Sequence, residues 1–111
     1  MRGGLGGFDV GKMMKQAQGM QKEMLKVQEE LKERVVEASA GGGMVTVHIN
    51  GQQELLSVKI DPEVFKSGDV SMLEDLMVAA VLEGMKKSKD LAQLEMNKIT
   101  GGLGANFPGL V

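Results

Sequence analysis

The sequence predicts an α+β fold in which a helix, three antiparallel strands and a second helix follow one another in one domain. Near both ends of the 111-residue chain, apolar residues recur every three or four positions, which is the period of a helix. Between these segments, three runs alternate apolar and polar residues and are joined by short turns. This alternation is typical of an antiparallel meander with one apolar face.

The first helix is predicted over residues 12–32. Glutamine, lysine and glutamate fill most of its positions and favour a helix. Its apolar residues follow a heptad spacing, which places them on one narrow stripe. This stripe, the methionine seam, consists of Met13, Ala17, Met20, Met24, Val27 and Leu31.

Three strands are predicted after this helix. Gly41–Gly43 forms the first turn and residues 50–53 the second, where Gly51 is expected to provide the positive φ of a tight hairpin. Asp61 and Pro62 end the sheet. The residues expected on its apolar face are Val36, Ala38, Ala40, Val45, Val47, Ile49, Leu56, Val58 and Ile60.

The second helix is predicted from Ser71 to about Ile99. Ser71 and Glu74 have the spacing of a capping box, in which each side chain accepts a hydrogen bond from a free backbone N–H group. Gly101 and Gly102 end the helix. One helical face is expected to carry Leu73, Leu76, Met77, Ala80, Gly84, Ser88 and Leu91.

Residues 12–100 are predicted to form the single domain, between glycine-rich tails at residues 1–11 and 101–111. Ordering glycine at this density is entropically costly, so both tails are expected to be flexible. The chain has no cysteine and no continuous apolar run of about 18–20 residues, and its start lacks the apolar segment of a signal peptide. A cytoplasmic protein without membrane contact is therefore expected.

Element lengths predict a homodimer. The two helices would be ~30 Å and ~40 Å long, whereas a six-residue strand covers only ~20 Å, so both helices overhang the sheet. The run Leu76–Leu82 is apolar on every side, which one sheet and one other helix cannot bury, although a second copy can. The alternative is a monomer whose two helices pair. The expected dimer interface contains Met13, Met20, Met24, Leu76, Met77, Val78, Val81 and Leu82.

The sequence predicts no enzyme. His48 is the only histidine and lies on the polar side of a predicted strand, with no nucleophile or orienting partner in a recognisable pattern. Asp61 and Glu63 are better explained as an acidic turn than as paired catalytic carboxylates. No spacing of ligands predicts a metal site, so no metal, cofactor or small-molecule substrate is expected.

Positive charge is concentrated on one strip of the first helix. At 100° per residue, Lys12, Lys15, Lys22 and Lys26 fall within an arc of about 80°, roughly opposite the methionine seam. These four residues are called the lysine ridge. In a dimer the ridge would occur twice and could follow DNA phosphates, although a solvated helix face is the alternative. A second cluster on the last helix contains Lys86, Lys87 and Lys89.

Several segments of the sequence form a recognisable pattern when they are taken together. Besides both glycine-rich ends, they are residues 13–18 with Met20, Gln21, Lys22 and Met24, residues 45–47 and 49–51, residues 58–62, residues 72–76 and residues 78–80. Together these segments resemble the YbaB/EbfC family of bacterial nucleoid-associated proteins. The resemblance covers nearly the whole chain in order. It implies a tweezer-shaped homodimer that binds DNA through projecting helices, with no catalytic site. On this chain those helices would present the lysine ridge and, secondarily, Lys86, Lys87 and Lys89.

The leading hypothesis is therefore a homodimer of the nucleoid that binds double-stranded DNA mainly through phosphate contacts. The formal net charge of −2 gives no general attraction for DNA, so binding would depend on local charge. The second hypothesis is an interaction adaptor whose Met-rich surface holds partner helices.

Overall fold

A computed structural model of the chain describes residues 9–100. The predicted order of helix, three antiparallel strands and long helix is confirmed, and the fold is α+β. A short helix before the last one was not predicted. The elements are α1 (Val10–Glu33), β1 (Val35–Ala40), β2 (Val45–Asn50), β3 (Leu55–Ile60), α2 (Pro62–Ser67) and α3 (Val70–Thr100). Nearly all of both predicted tails lies outside the described residues, at 1–8 and 101–111.

Helix α1 contacts mainly α3 and, to a smaller extent, β2. It begins at Val10, two residues earlier than expected, because the Asp9 carboxylate accepts a hydrogen bond from the Lys12 backbone N–H at 3.0 Å. Leu31 is its only buried residue. The segment from Val10 to Val27 contains no buried residue and is called the arm.

The sheet has the order β1-β2-β3, with β2 in the centre. A β-bulge interrupts the ladder between β2 and β3, because Ile49 lies opposite Leu55 while His48 lies opposite Ser57. Leu56 is the extra residue and is 53% exposed. The predicted alternation of apolar and polar positions therefore breaks at Leu56.

The core lies between the sheet and α3. Helix α3 packs mainly on β1 and β2, and it leaves β3 largely uncovered. The predicted apolar face of the last helix is confirmed, since its three buried residues are Ala80, Gly84 and Ser88. The fully buried side chains of the sheet that meet this face are Val45, Val47 and Ile49.

The turn between β2 and β3 differs from its prediction. Its positive φ, 63°, belongs to Gln53 and not to Gly51. Gly51 is needed for close approach instead, because a Cβ atom there would lie 2.7 Å from the Leu31 carbonyl oxygen. In the turn between β1 and β2, by contrast, all three glycines of Gly41–Gly43 have positive φ, as a tight reversal permits.

Asp69, rather than Ser71, caps α3. The Asp69 carboxylate accepts a hydrogen bond from the Met72 backbone N–H at 2.9 Å, and Ser71 is the second residue of the helix. The predicted capping box is therefore wrong. Gly68 ends α2 in the left-handed backbone region, with φ of 71°. The chain changes direction there, and Asp69 becomes the residue whose side chain precedes α3 and accepts the hydrogen bond.

Candidate nucleic-acid interface

The lysine ridge lies entirely on the arm. Its four residues are exposed, because they lie on the side of α1 roughly opposite the apolar methionine seam. Within residues 9–100, none of the four ammonium groups lies within 4.0 Å of a carboxylate oxygen. The positive charge of the ridge is therefore not neutralised by this part of the chain.

The surface of the ridge is open along its length. Gly19 falls within the same arc, and a Cβ atom built there would meet nothing within 4 Å. Nearer the sheet, the strip becomes acidic at Glu29, Glu30 and Glu33, which are all exposed. Helix α1 thus carries positive charge on the arm, away from the body of the protein, and negative charge beside the body.

The α3 lysines do not form a comparable strip. The Lys86 ammonium lies 3.3 Å from an Asp90 carboxylate oxygen, and the Lys87 ammonium donates a hydrogen bond to the Glu37 carbonyl at 2.9 Å. Lys89 is exposed, and no carboxylate within residues 9–100 pairs with it. Since successive residues differ by 100° around a helix, the three side chains diverge. Lys86 and Lys87 are weaker candidates than the ridge.

The residues predicted to form a dimer interface are largely uncovered. On the arm, Met13 is 50% exposed. On α3, Val78 and Leu82 are 59% and 65% exposed, beside the half-buried Met77 and Val81. These four α3 residues line an open apolar depression of about 270 Å³. Exposed apolar groups on one continuous helix face are typical of a surface that another chain covers.

His48 lies in a hydrogen-bonded row on the sheet face opposite α3. Its Nδ1 atom is 3.0 Å from the Ser57 hydroxyl oxygen, and its Nε2 atom is 2.9 Å from a Glu37 carboxylate oxygen. Glu37 and Ser57 are both exposed. The row connects all three strands side by side and lies open to solvent.

The described residues include no group of three or more His, Cys, Asp or Glu side chains that could hold a metal ion. None of the helices between residues 9 and 100 combines the length and the apolar character needed to cross a membrane.

An ionic contact between Arg34, the residue that follows α1, and helix α3 was not predicted. The Arg34 guanidinium lies 3.5 Å from a Glu95 carboxylate oxygen, and the Lys98 ammonium lies 3.1 Å from the same atom. The hydrogen bond from Lys98, with the charges of Lys98 and Arg34, holds the pKa of Glu95 below its ordinary value. Arg34 and Glu95 are 61 positions apart, so no local pattern in the sequence could have paired them.

Two relatives of this chain are described as nucleoid-associated proteins. A nucleoid-associated protein of Thermoanaerobacter pseudethanolicus is 51% identical over 105 residues, which cover 95% of this chain and 93% of the relative. A nucleoid-associated protein of Syntrophobacter fumaroxidans is 55% identical over 97 residues, with 87% and 86% covered.

A crystal structure of an uncharacterized Helicobacter pylori protein matches the fold with a TM-score of 0.76 and 26% identity, covering 85% of this chain and 99% of that one. The model of the YbaB/EbfC DNA-binding family matches residues 6–103. The chain belongs to the YbaB/EbfC DNA-binding family, which is not an enzyme family.

Proposed function

We propose that this protein is a nucleoid-associated homodimer that binds duplex DNA mainly through phosphate contacts made by the lysine ridge. The observation that carries the proposal is a strip of four exposed lysines, unpaired within residues 9–100, on an arm that projects from the body. The family description supports DNA as the binding partner, and the names of the relatives support an association with the nucleoid. They favour this function over the adaptor hypothesis.

The uncovered apolar surface supports the homodimer. Helix α3 leaves β3 largely bare, and the exposed Val78 and Leu82 line an open depression with Met77 and Val81, which also pack against the protein's own core. A second copy placing the same face there would bury both surfaces, as a twofold axis requires. The arm's seam residues Met13, Met20 and Met24 would complete the expected interface.

Dimerisation would present the ridge twice. Lys12 and Lys26 are separated by 14 residues, which is ~21 Å along a helix, so each ridge could follow one stretch of phosphates. Each neutralised phosphate releases counterions, and this release gives affinity without reading the base sequence. Contacts by lysine ammonium groups position a protein on DNA but carry little sequence information.

The dependence of DNA binding on salt tests this function. If the eight lysines of a dimer contact phosphates, the slope of log affinity against log salt should approach about −7 for duplex DNA. Fluorescence anisotropy with a labelled 30-base-pair duplex between 50 and 300 mM salt would measure the slope. Replacing Lys12, Lys15, Lys22 and Lys26 by Glu should abolish binding and leave the dimer intact.

Two double variants distinguish the effect of the position of positive charge on DNA affinity from the effect of net charge. Lys15→Glu with Lys22→Glu removes ridge charge, whereas Lys59→Glu with Lys66→Glu makes the same change in net charge on β3 and α2. The ridge pair should weaken binding much more than the control pair. Equal loss in both pairs would show that net charge, and not the ridge, determines affinity.

A further inference from the structure

Hydrogen bonds at the base of the arm add to the packing of α1 on α3. Of all the residues in α1, only Leu31 is buried, and a pocket of about 380 Å³ lies between the end of α1 and the second half of α3. Gln28, Ala92 and Met96 are among its lining residues. Within one protomer the arm has only partial apolar packing, since Met20 and Val27 are half-buried and no arm residue is buried. Hydrogen bonds from the β2–β3 turn at its base therefore also contribute to its direction.

Those contacts come from the β2–β3 turn. The Gly51 backbone N–H lies 2.8 Å from the Leu31 carbonyl oxygen and 2.9 Å from the Arg34 carbonyl oxygen, and it donates to both. The side-chain amide of Gln52 donates to the Gln28 carbonyl at 2.6 Å. The Leu31 carbonyl also accepts the Arg34 backbone N–H at 3.2 Å, and the Gln28 carbonyl lies within the helix, four residues before Lys32. The turn therefore adds hydrogen bonds from a second segment of the chain to carbonyl groups at the end of α1.

The same turn is anchored to α3. The Ser88 hydroxyl is buried and donates to the Asn50 carbonyl at 2.6 Å, and it lies 3.2 Å from the Gln53 backbone nitrogen, whose N–H it accepts. Within the turn, the Asn50 side chain accepts hydrogen bonds from the Gln52 and Glu54 backbone N–H groups. The turn is therefore hydrogen-bonded to α3 on one side and to the end of α1 on the other.

We propose that residues 50–54 form a clamp that sets the direction of the arm, with Gly51 and Gln52 as positioning residues for DNA binding by the lysine ridge. The function of these residues rests on the proposed DNA binding, whereas their effect on the arm does not. A ridge held at a fixed angle contacts phosphates without first losing orientational freedom, and a loose ridge must lose that freedom on binding.

Two substitutions test the clamp. Gln52→Ala removes the donor to Gln28 without adding bulk. Gly51→Ala places a Cβ atom 2.7 Å from the Leu31 carbonyl oxygen and 2.9 Å from the Leu31 Cβ atom, so α1 must move away. Gln93→Ala is the matched control, because Gln93 is an exposed α3 residue that makes no side-chain hydrogen bond within residues 9–100.

The arm's direction can be measured directly. The protein has no cysteine, so Gly19→Cys on the arm and Ser39→Cys on β1 provide unique sites for spin labels. Labelled chains diluted tenfold with unlabelled chains report the distance within one protomer by double electron–electron resonance. We expect Gln52→Ala to broaden the distance distribution, Gly51→Ala to shift its mean, and Gln93→Ala to leave it as in the parent.

DNA affinity is measured on the same unlabelled variants. The loss of one hydrogen bond that fixes the arm should weaken binding about three- to tenfold in Gln52→Ala. The loss should be smaller when Lys15 and Lys22 are already replaced by Gln, because fewer phosphate contacts then depend on the arm's angle. A merely destabilising change would give the same fold loss in both backgrounds.

The outcomes separate the two proposals. Unchanged distances in Gln52→Ala and Gly51→Ala overturn the clamp, and so does a loss of affinity without any change in distance. If Gly51→Ala does not fold, Gln52→Ala alone decides the question. A parent protein that does not bind DNA removes the proposed function, while the distance measurements still show whether the turn directs the arm.

Discussion

Gly84 determines how closely α3 approaches the sheet. A Cβ atom at this position would lie 2.7 Å from the Ile49 Cδ1 atom and 3.1 Å from the Val47 Cγ2 atom, and both of these side chains are fully buried. The glycine therefore serves packing rather than backbone freedom. Its place in the middle of a helix, where glycine is ordinarily unfavourable, has a physical reason.

Alanine at Gly84 should destabilise the protein. Alanine gains up to ~1 kcal/mol over glycine from helix propensity, but overpacking a buried site costs about 1–3 kcal/mol. The expected net change in the free energy of unfolding is a loss of up to ~2 kcal/mol, measured by urea denaturation.

Gly19 supplies the matched comparison on the arm. Its Cβ atom would meet nothing within 4 Å, so Gly19→Ala should raise stability by up to ~1 kcal/mol. Two glycine-to-alanine changes in helices should thus have opposite signs. The same sign at both positions would contradict the close approach seen at Gly84.

Helix α3 depends on its cap at Asp69. Asp69→Ala should lower the free energy of unfolding by about 0.5–2 kcal/mol, because the Met72 backbone N–H loses its acceptor. Ser71→Ala, two residues away, should change it by less than ~0.5 kcal/mol. Chemical denaturation of both variants measures the difference, and a larger effect at Ser71 would restore the capping box.

The ionic contact of Glu95 on α3 with Arg34 and Lys98 predicts a dependence on pH. The pKa of Glu95 is lowered in the folded state, so its contribution is present above the unfolded pKa of about 4.3 and is lost as pH falls through the folded pKa. Glu95→Gln should therefore lower Tm more at pH 7 than at pH 3. A Tm difference that is the same at both pH values, measured by circular dichroism, would exclude the ionic contribution.

The main elements were predictable because each has a clear period. Helices α1 and α3 repeat their apolar residues over many turns, and β1 and β2 alternate cleanly. Helix α2 was missed because six residues are too few to show a helical period. The bulge was missed because Leu55 and Leu56 are both apolar, so either of them satisfies the alternation.

The candidate site was predictable only where one helix determines it. The geometry of α1 alone places the lysine ridge on one strip, and the structure agrees with that placement. The contacts of Lys86 and Lys87 and the close approach of Gly51 to Leu31 depend on how separate elements pack. No pattern within a single segment specifies such contacts.

The protein as a whole is elongated, with principal extents of 79 × 25 × 16 Å. Its radius of gyration of 21.6 Å far exceeds the ~13 Å of a compact domain of this length. A chain of this shape buries little apolar surface by itself, which agrees with the exposed seam and the exposed face of α3. The proposed dimer would compensate for this small core.

A charge on the exposed face of α3 should dissociate that dimer. Leu82→Asp would bury an unpaired carboxylate in the interface, which should raise the dimer Kd at least ~100-fold. Val70→Asp, at an exposed position outside the expected interface, is the control. Sedimentation velocity at micromolar concentration distinguishes the two states, and a parent protein that sediments as a monomer would refute the dimer.

The change of charge along α1 would limit how much DNA one arm can cover. The lysine ridge would attract DNA phosphates over ~21 Å of α1, which is the length of about six base pairs at 3.4 Å each. Beyond Lys26, Glu29, Glu30 and Glu33 would repel the phosphates. The acidic stretch would act as an electrostatic stop that keeps the double helix at the tip of the arm. Each protomer should therefore leave a short footprint, and the duplex should stay clear of the sheet.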